Sequence, residues 1–382
     1  MRKLAILGVL VAAALAPTAA HAYPQWQFAS GTSRCNQCHF SPGGGGLITN
    51  YARDAVGEDL SSFEGNGGFL HGAVELPTSL ALGVDLRGAV LQHHAGNPEG
   101  PTTAIFPMQA DLQFRLAFAE SFSLAATVGY RGQARNSPAG LGNENFYPAS
   151  ADRVISREHY LMWRSGALGP YVRAGRFFAP YGLRLAEHTT YVRRDNGFNL
   201  LYETYGLSGG VVQNEWELHV TAFIPDILRS FGGQEKGAAA MFEKRLADAF
   251  ALGVDARLGL GDAGAKRYGG GLFGKAYVAP IKTIFMAQGD IVQVQGASGA
   301  ASTQLIGYVG PTIMPLRGLW LGGYAEVFQT DIKVKGTATT SLNGQLNWFP
   351  YPHFELVLQA RMQSPQQQEA AKTVMAQLHY FL

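Results

Sequence analysis

The sequence predicts an all-β chain: a transmembrane antiparallel β-barrel of about sixteen strands with a small N-terminal plug segment. Three observations predict it. From about Leu80 onward, runs of roughly ten or more residues alternate apolar and polar side chains in period two, as a tilted membrane-crossing strand requires. Long polar stretches and tight turns alternate between these runs. Only 15% of the 382 residues are charged, against ~25% in an ordinary soluble domain, and no later segment is long and apolar enough to span as a helix.

Residues 1–22 read as a secretory signal peptide. Arg2 and Lys3 give the charged start, an apolar stretch follows from Ile6, and Ala20-His21-Ala22 forms an A-x-A cleavage site, so the mature chain is expected to begin at Tyr23. Pro17 breaks the apolar run short of the ~20 residues of a spanning helix, which points to export and not to an anchor. Net charge is +2, and without Arg2 and Lys3 the 30 basic residues fall to 28 against 28 acidic. That balance, with no basic run, argues against nucleic acid as a partner.

Residues 23–74 are unlike the rest of the chain. They lack period-two alternation, carry four consecutive glycines from Gly43 to Gly46, and include one stretch, LITNYARDAVGEDL, that suits a short helix. With few apolar residues this segment is too poor in core to stand alone. A plug held in or under a barrel lumen is the expected arrangement.

Residues 75–382 carry the barrel pattern. In FPMQADLQFRLAF, Phe106, Met108, Ala110, Leu112, Phe114, Leu116 and Phe118 are expected on the lipid face, with Gln109, Asp111, Gln113 and Arg115 toward the lumen. Asp85, Arg87, Arg131, Asp255, Arg257, Glu326 and Arg361 join them as lumen charges. Loops such as HHAGNPEGPTT and LRLAEHTTYVRRDNGFNLL fall on one side, with His93-His94 and Arg193 to Asn196 facing outward, and turns such as SGALG and PYPH on the other. An even strand count returns the C-terminus to the side where the chain began, the periplasm, and the long loops are then extracellular. Trp163, Trp216, Trp320, Trp348, Phe349 and Tyr351 are expected in interfacial girdles. The closing Tyr380-Phe381-Leu382 resembles the C-terminal aromatic signature of bacterial outer-membrane proteins.

The chemistry lies in Cys35-Asn36-Gln37-Cys38-His39. C-x-x-C-H attaches a c-type haem: two thiols at this spacing bond the two vinyl groups of one porphyrin, and the adjoining imidazole coordinates the iron. Cys35 and Cys38 are the thioether candidates and His39 the proximal ligand. A thioredoxin-like site wants a βαβ surround and a structural zinc site wants four ligands, whereas these are the only two cysteines. A disulfide between them remains the competing account. His71 is the first candidate for the sixth iron position and hence a metal ligand, with Met108, His159, His93 and His94 behind it. Arg115 and Arg131, inward on consecutive strands, are the candidate propionate partners, because guanidinium grips carboxylate in a bidentate fork. No distinct pair of catalytic groups suggests a classical enzyme.

With CNQCH followed by Pro42, Leu47 and Tyr51-Ala52-Arg53, the sequence resembles the fused outer-membrane cytochrome–porins, in which a monohaem c-type segment precedes a barrel, as in iron-oxidising bacteria. That family has an aromatic-Gly-Arg where this chain has Ala52, and lacks the glycine run. The resemblance implies one covalent haem c, electron transfer across the outer membrane, an extracellular donor such as Fe(II) or a mineral, and a periplasmic electron carrier. A diffusion porin for small solutes, with the haem segment as a structural or redox-sensing plug, is the alternative.

Overall fold

A computed structural model describes residues 24–28, 31–96, 100–130, 154–198, 202–227, 235–261 and 264–382; the signal segment and Arg131 lie outside them. Sixteen antiparallel strands form one closed barrel, each paired with its neighbours in sequence and β1 with β16. In order they are β1 (Leu80–His94), β2 (Thr102–Ala117), β3 (Phe122–Tyr130), β4 (Val154–Arg164), β5 (Gly169–Phe177) and β6 (Thr204–Val212). β7 (Trp216–Ile224), β8 (Lys236–Ala247), β9 (Phe250–Leu260), β10 (Lys266–Val278) and β11 (Thr283–Gln295) continue the wall. β12 (Ala301–Leu316), β13 (Leu319–Gln329), β14 (Ala338–Trp348), β15 (Phe354–Pro365) and β16 (Ala371–Phe381) close it. Closure leaves no open sheet edge, so every strand finds its backbone partners within the wall.

Alternation sorts the side chains as the pleat demands. Leu112, Leu207, Leu272, Ile291 and Leu358 stand exposed on the outside, while Asp111, Arg115, Asp255, Arg257, Glu326 and Arg361 are buried inside. The inner charges are paired: Arg87 with Asp85 at 3.0 Å and Arg361 with Glu326 at 3.2 Å. Four register breaks interrupt the rhythm, and two of them lie away from the turns. Opposite Arg87 and Gly88 the β2 register passes from Gln109 to Pro107, so Met108 is the extra residue. Opposite Thr127 and Val128 the β4 register passes from Glu158 to Ser156, so Arg157 is extra. Each bulge puts two consecutive side chains, Met108 with Gln109 and Arg157 with Glu158, on the lumen side, where all four line one cavity. The sequence-based assignment of Phe106 and Met108 to the lipid face is therefore corrected: beyond the bulge Ala104 is buried and Ile105 is exposed.

Two segments fill the lumen. The first is the N-terminal one, with helix α1 (Cys35–Cys38), helix α2 (Asn50–Ala55) and a π turn over Val56–Leu60 that continues α2. Thr49 caps α2, its hydroxyl accepting from Ala52 N. This segment enters at the short-turn end: Asn36 donates to Ala167 O in the β4–β5 turn at 2.5 Å, and Ser62 N to Phe349 O at 2.8 Å. Trp26 packs against Trp320 and Phe349 at centroid separations of 5.8 and 5.1 Å. Trp320 and Phe349 are thus buried supports for the plug, and of the six expected girdle residues they are corrected; Trp348 and Tyr351 remain exposed near the rim.

The second is the loop from Phe178 to Glu203, among whose described residues lies helix α3 (Tyr191–Arg194). This loop, unlike the plug, was expected outside the barrel. Instead Tyr181, Leu183, Leu185, Tyr191, Val192 and Asn196 are buried, because an apolar run of this length needs cover that an external loop lacks. The opposite wall holds it: Tyr191 N donates to Glu326 at 2.6 Å, Leu183 N to Gln288 at 2.9 Å, and Arg361 to Thr189 O at 2.9 Å.

Candidate functional site

Helix α1 sits inside the wall with Cys35 and Cys38 as unbridged thiols. Burial raises both thiol pKa values, Cys38 to about 12 with a further push from Cys35. Neutral thiols of this kind are poor metal-thiolate or exchange groups. His39 places Nδ1 3.3 Å from Gly46 O, which fixes the tautomer whose lone pair is on Nε2, the arrangement second-shell carbonyls impose on metal-binding histidines.

The glycine run folds back over this turn. Gly44 has φ of +83°, a conformation open to glycine, and a Cβ there would stand 3.1 Å from Cys35 Cβ, 3.4 Å from its Sγ and 3.9 Å from His39 Cδ2. At Gly45 a Cβ would meet nothing within 4 Å. Next to it opens a cavity of about 290 Å³, lined by Cys35, His39 and Gly43 to Gly46 on the plug, Met108 and Glu158 on the wall, and Tyr181 and His188 on the inward loop. Arg157, Arg173 and Arg184 also line it.

Three cations pin the plug to wall carboxylates. Arg184 Nη1 donates to Gly43 O at 3.0 Å and its Nη2 to Glu217 at 2.8 Å. Arg245 donates to Ser33 O at 2.8 Å and to Glu217 at 2.9 Å. Lys275 donates to Gln27 at 2.6 Å and stands 2.7 Å from Glu243. Arg173 adds a bond to Ser41 Oγ at 3.1 Å. Arg53 ties α2 to the Leu82 carbonyl of β1.

The donor chemistry fits a covalent haem in part of its detail. Cys35 and His39 open on the cavity, whereas the cavity arginines are already engaged, Arg157 with Asp111, Arg173 with Ser41 and Arg184 with Glu217, and Cys38 is packed with Ile48, Ala52 and Ala55 and must turn out of that cluster to bond a porphyrin. Of the other sequence candidates for an iron ligand, all among the described residues, only Met108 lines the cavity. His71 lies instead at the short-turn rim, 5.3 Å from the His353 ring and 3.4 Å from Tyr380 Oη. His93 bonds Thr373 at 2.9 Å and His94 lies at the far end of β1, while His159 bonds Ser156 Oγ at 2.7 Å and meets the Tyr205 ring edge to face at 5.4 Å. Arg115 places its guanidinium 4.5 Å from the Phe40 ring, next to His39 in sequence, without lining the cavity.

Sequence reading missed His188, Arg157, Arg173 and Arg184. One signal was available: Arg157-Glu158, two consecutive charges inside a strand, breaks alternation and marks a bulge. Among the described residues no group of three or more His, Cys, Asp or Glu side chains forms a metal cluster.

No family model matches the chain, and no curated protein sequence matches it either. Solved structures do. The outer-membrane protein OmpT of Vibrio cholerae superposes with a TM-score of 0.61 at 8% identity, covering 81% of this chain and 100% of that one. OprB of Pseudomonas putida gives 0.60 at 8%, covering 80% and 94%, and an anion-selective porin of Comamonas acidovorans 0.56 at 8%, covering 80% and 99%. At such identities the likeness is one of fold, and the fold is the sixteen-stranded barrel of the outer-membrane porins.

Proposed function

We propose that this chain is an outer-membrane barrel whose plug carries one covalent c-type haem and passes electrons between the two sides of that membrane. One observation carries the reading: the C-x-x-C-H turn lies inside the barrel wall, at the edge of a 290 Å³ cavity to which Cys35 and His39 contribute. Cys35 and Cys38 would hold the group covalently and His39 would ligate its iron. When bound, the group supplies a one-electron couple.

The chain's own residues do the rest. The glycine run and Pro180 and Tyr181 of the inward loop wall the cavity, and its polar side mixes Arg157, Arg173 and Arg184 with Asp85, Asp111, Glu158 and Glu203. Extracellular Fe(II) or a reduced mineral is the proposed donor at the long-loop end, and a periplasmic carrier the proposed acceptor at the short-turn end. The plug's contact with the β4–β5 turn sets the haem segment near the end proposed to face the acceptor.

A second reading is favoured by the fold: the likeness is to channel-forming barrels, which makes a diffusion porin with a plug the competing function. Expression in a host that attaches c-type haem separates the two. Haem stain that survives denaturing electrophoresis, is lost in Cys35→Ala/Cys38→Ala, and titrates reversibly in the native protein supports electron transfer. Wild-type protein that carries no covalent haem and gives a large steady single-channel conductance overturns it.

A further inference from the structure

The two bulges that lie away from the turns sit at the same cavity, on β2 and β4, and a bulge costs ladder hydrogen bonds that a plain strand would keep. What the β2 bulge achieves is specific. Without it the outward parity of Ala110 and Leu112 would extend to Met108 and leave the thioether facing lipid; with it Met108 points into the lumen beside Gln109. Met108 is the one methionine among the residues that line the cavity, and its thioether is a soft donor beside Gln109, whose amide donates to Asp111 at 2.6 Å.

We infer that Met108 is the second axial ligand opposite His39, an inference that rests on the haem reading above. The rival donors are placed worse. His379, also on the cavity, is held by Asp85 at 3.1 Å and Glu355 at 2.6 Å. His188 belongs to the inward loop, so its ring is set by loop packing, whereas Met108 stands on a strand fixed in the barrel ladder. Methionine with histidine gives a higher potential than two histidines, which suits a centre that accepts electrons from a weak reductant.

The test uses full-length, haem-loaded protein and the variants Met108→Ala, Met108→His and His188→Ala, each checked for barrel folding by heat-modifiable gel mobility. Met108→Ala is expected to keep its covalent haem, lose the low-spin spectrum and gain rapid carbon monoxide binding. Met108→His is expected to restore the low-spin spectrum at a lowered potential, and His188→Ala to match wild type. Haem present with Met108→Ala spectrally unchanged, or the loss appearing in His188→Ala, overturns this assignment and spares the haem reading. Wild type without covalent haem overturns both.

Discussion

Arg157 Nε stands 3.0 Å from Asp111 Oδ1, reaching over β3 from the β4 bulge to the strand that carries the β2 bulge. The residue beneath the pair is Gly129, where a Cβ would stand 2.4 Å from Asp111 Oδ1 and 3.0 Å from Arg157 Nε. The missing side chain is what lets the pair close.

Gly129→Ala is therefore expected to force the two side chains apart and destabilise the barrel by about 1–3 kcal/mol. Chemical denaturation followed by heat-modifiable mobility checks it. Stability equal to wild type would show that the pair closes by another path.

Glu217 accepts from both Arg184 and Arg245, each of which also holds a plug carbonyl. Glu217→Ala leaves two guanidinium groups without their carboxylate in a buried setting, a change worth about 3–5 kcal/mol. Most of that loss is expected in plug docking, because the wall keeps its own ladder. Single-channel conductance should rise and protease should reach residues near Gly43, while gel mobility still reports a folded barrel.

Gly44→Val places a β-branched side chain at φ of +83° and against Cys35. The backbone penalty alone is about 1–2 kcal/mol. Lower haem yield per folded barrel than in a Gly45→Ser control, where a side chain has room at the Cβ, is the expected result. Quantitative haem stain against total protein measures it.

His353 lies in the β14–β15 turn with Nε2 2.8 Å from Gly67 O, and burial lowers its pKa to about 4. The undocked state takes up the proton near the ordinary histidine value while the docked state does not. Docking of the tail of the plug is thus fully favourable above about pH 6.5 and weakens as pH falls from there towards 4. Hydrogen exchange at residues 62 to 68 should rise over that window. In His353→Phe the pH dependence should flatten.

The barrel was readable because its physics is local: one face meets lipid and the other does not, and period two records it residue by residue. The C-x-x-C-H turn stood out as a candidate because it holds the chain's two cysteines, and the fold sets Cys35 and His39 on the cavity. Parity on β2 was misread, although Pro107 inside the strand was a usable sign, since proline in a sheet interior marks a bulge or an edge. The inward loop was taken as external because its charged residues, Arg193 and Arg194 among them, look solvated in sequence; in the fold Arg193 donates to Leu185 O at 2.6 Å. Which loop turns inward, and which histidine reaches the cavity, depends on partners more than a hundred residues away.

The plug's attachments span most of the chain, from Leu82 on β1 through Lys275 on β10 to Trp348 at the end of β14. The full set of those contacts exists only once β16 has joined β1 and the cylinder is shut. A group bonded to Cys35 and Cys38 would travel with the segment that carries it, so its attachment and the docking of the plug would be coupled steps in making the finished barrel.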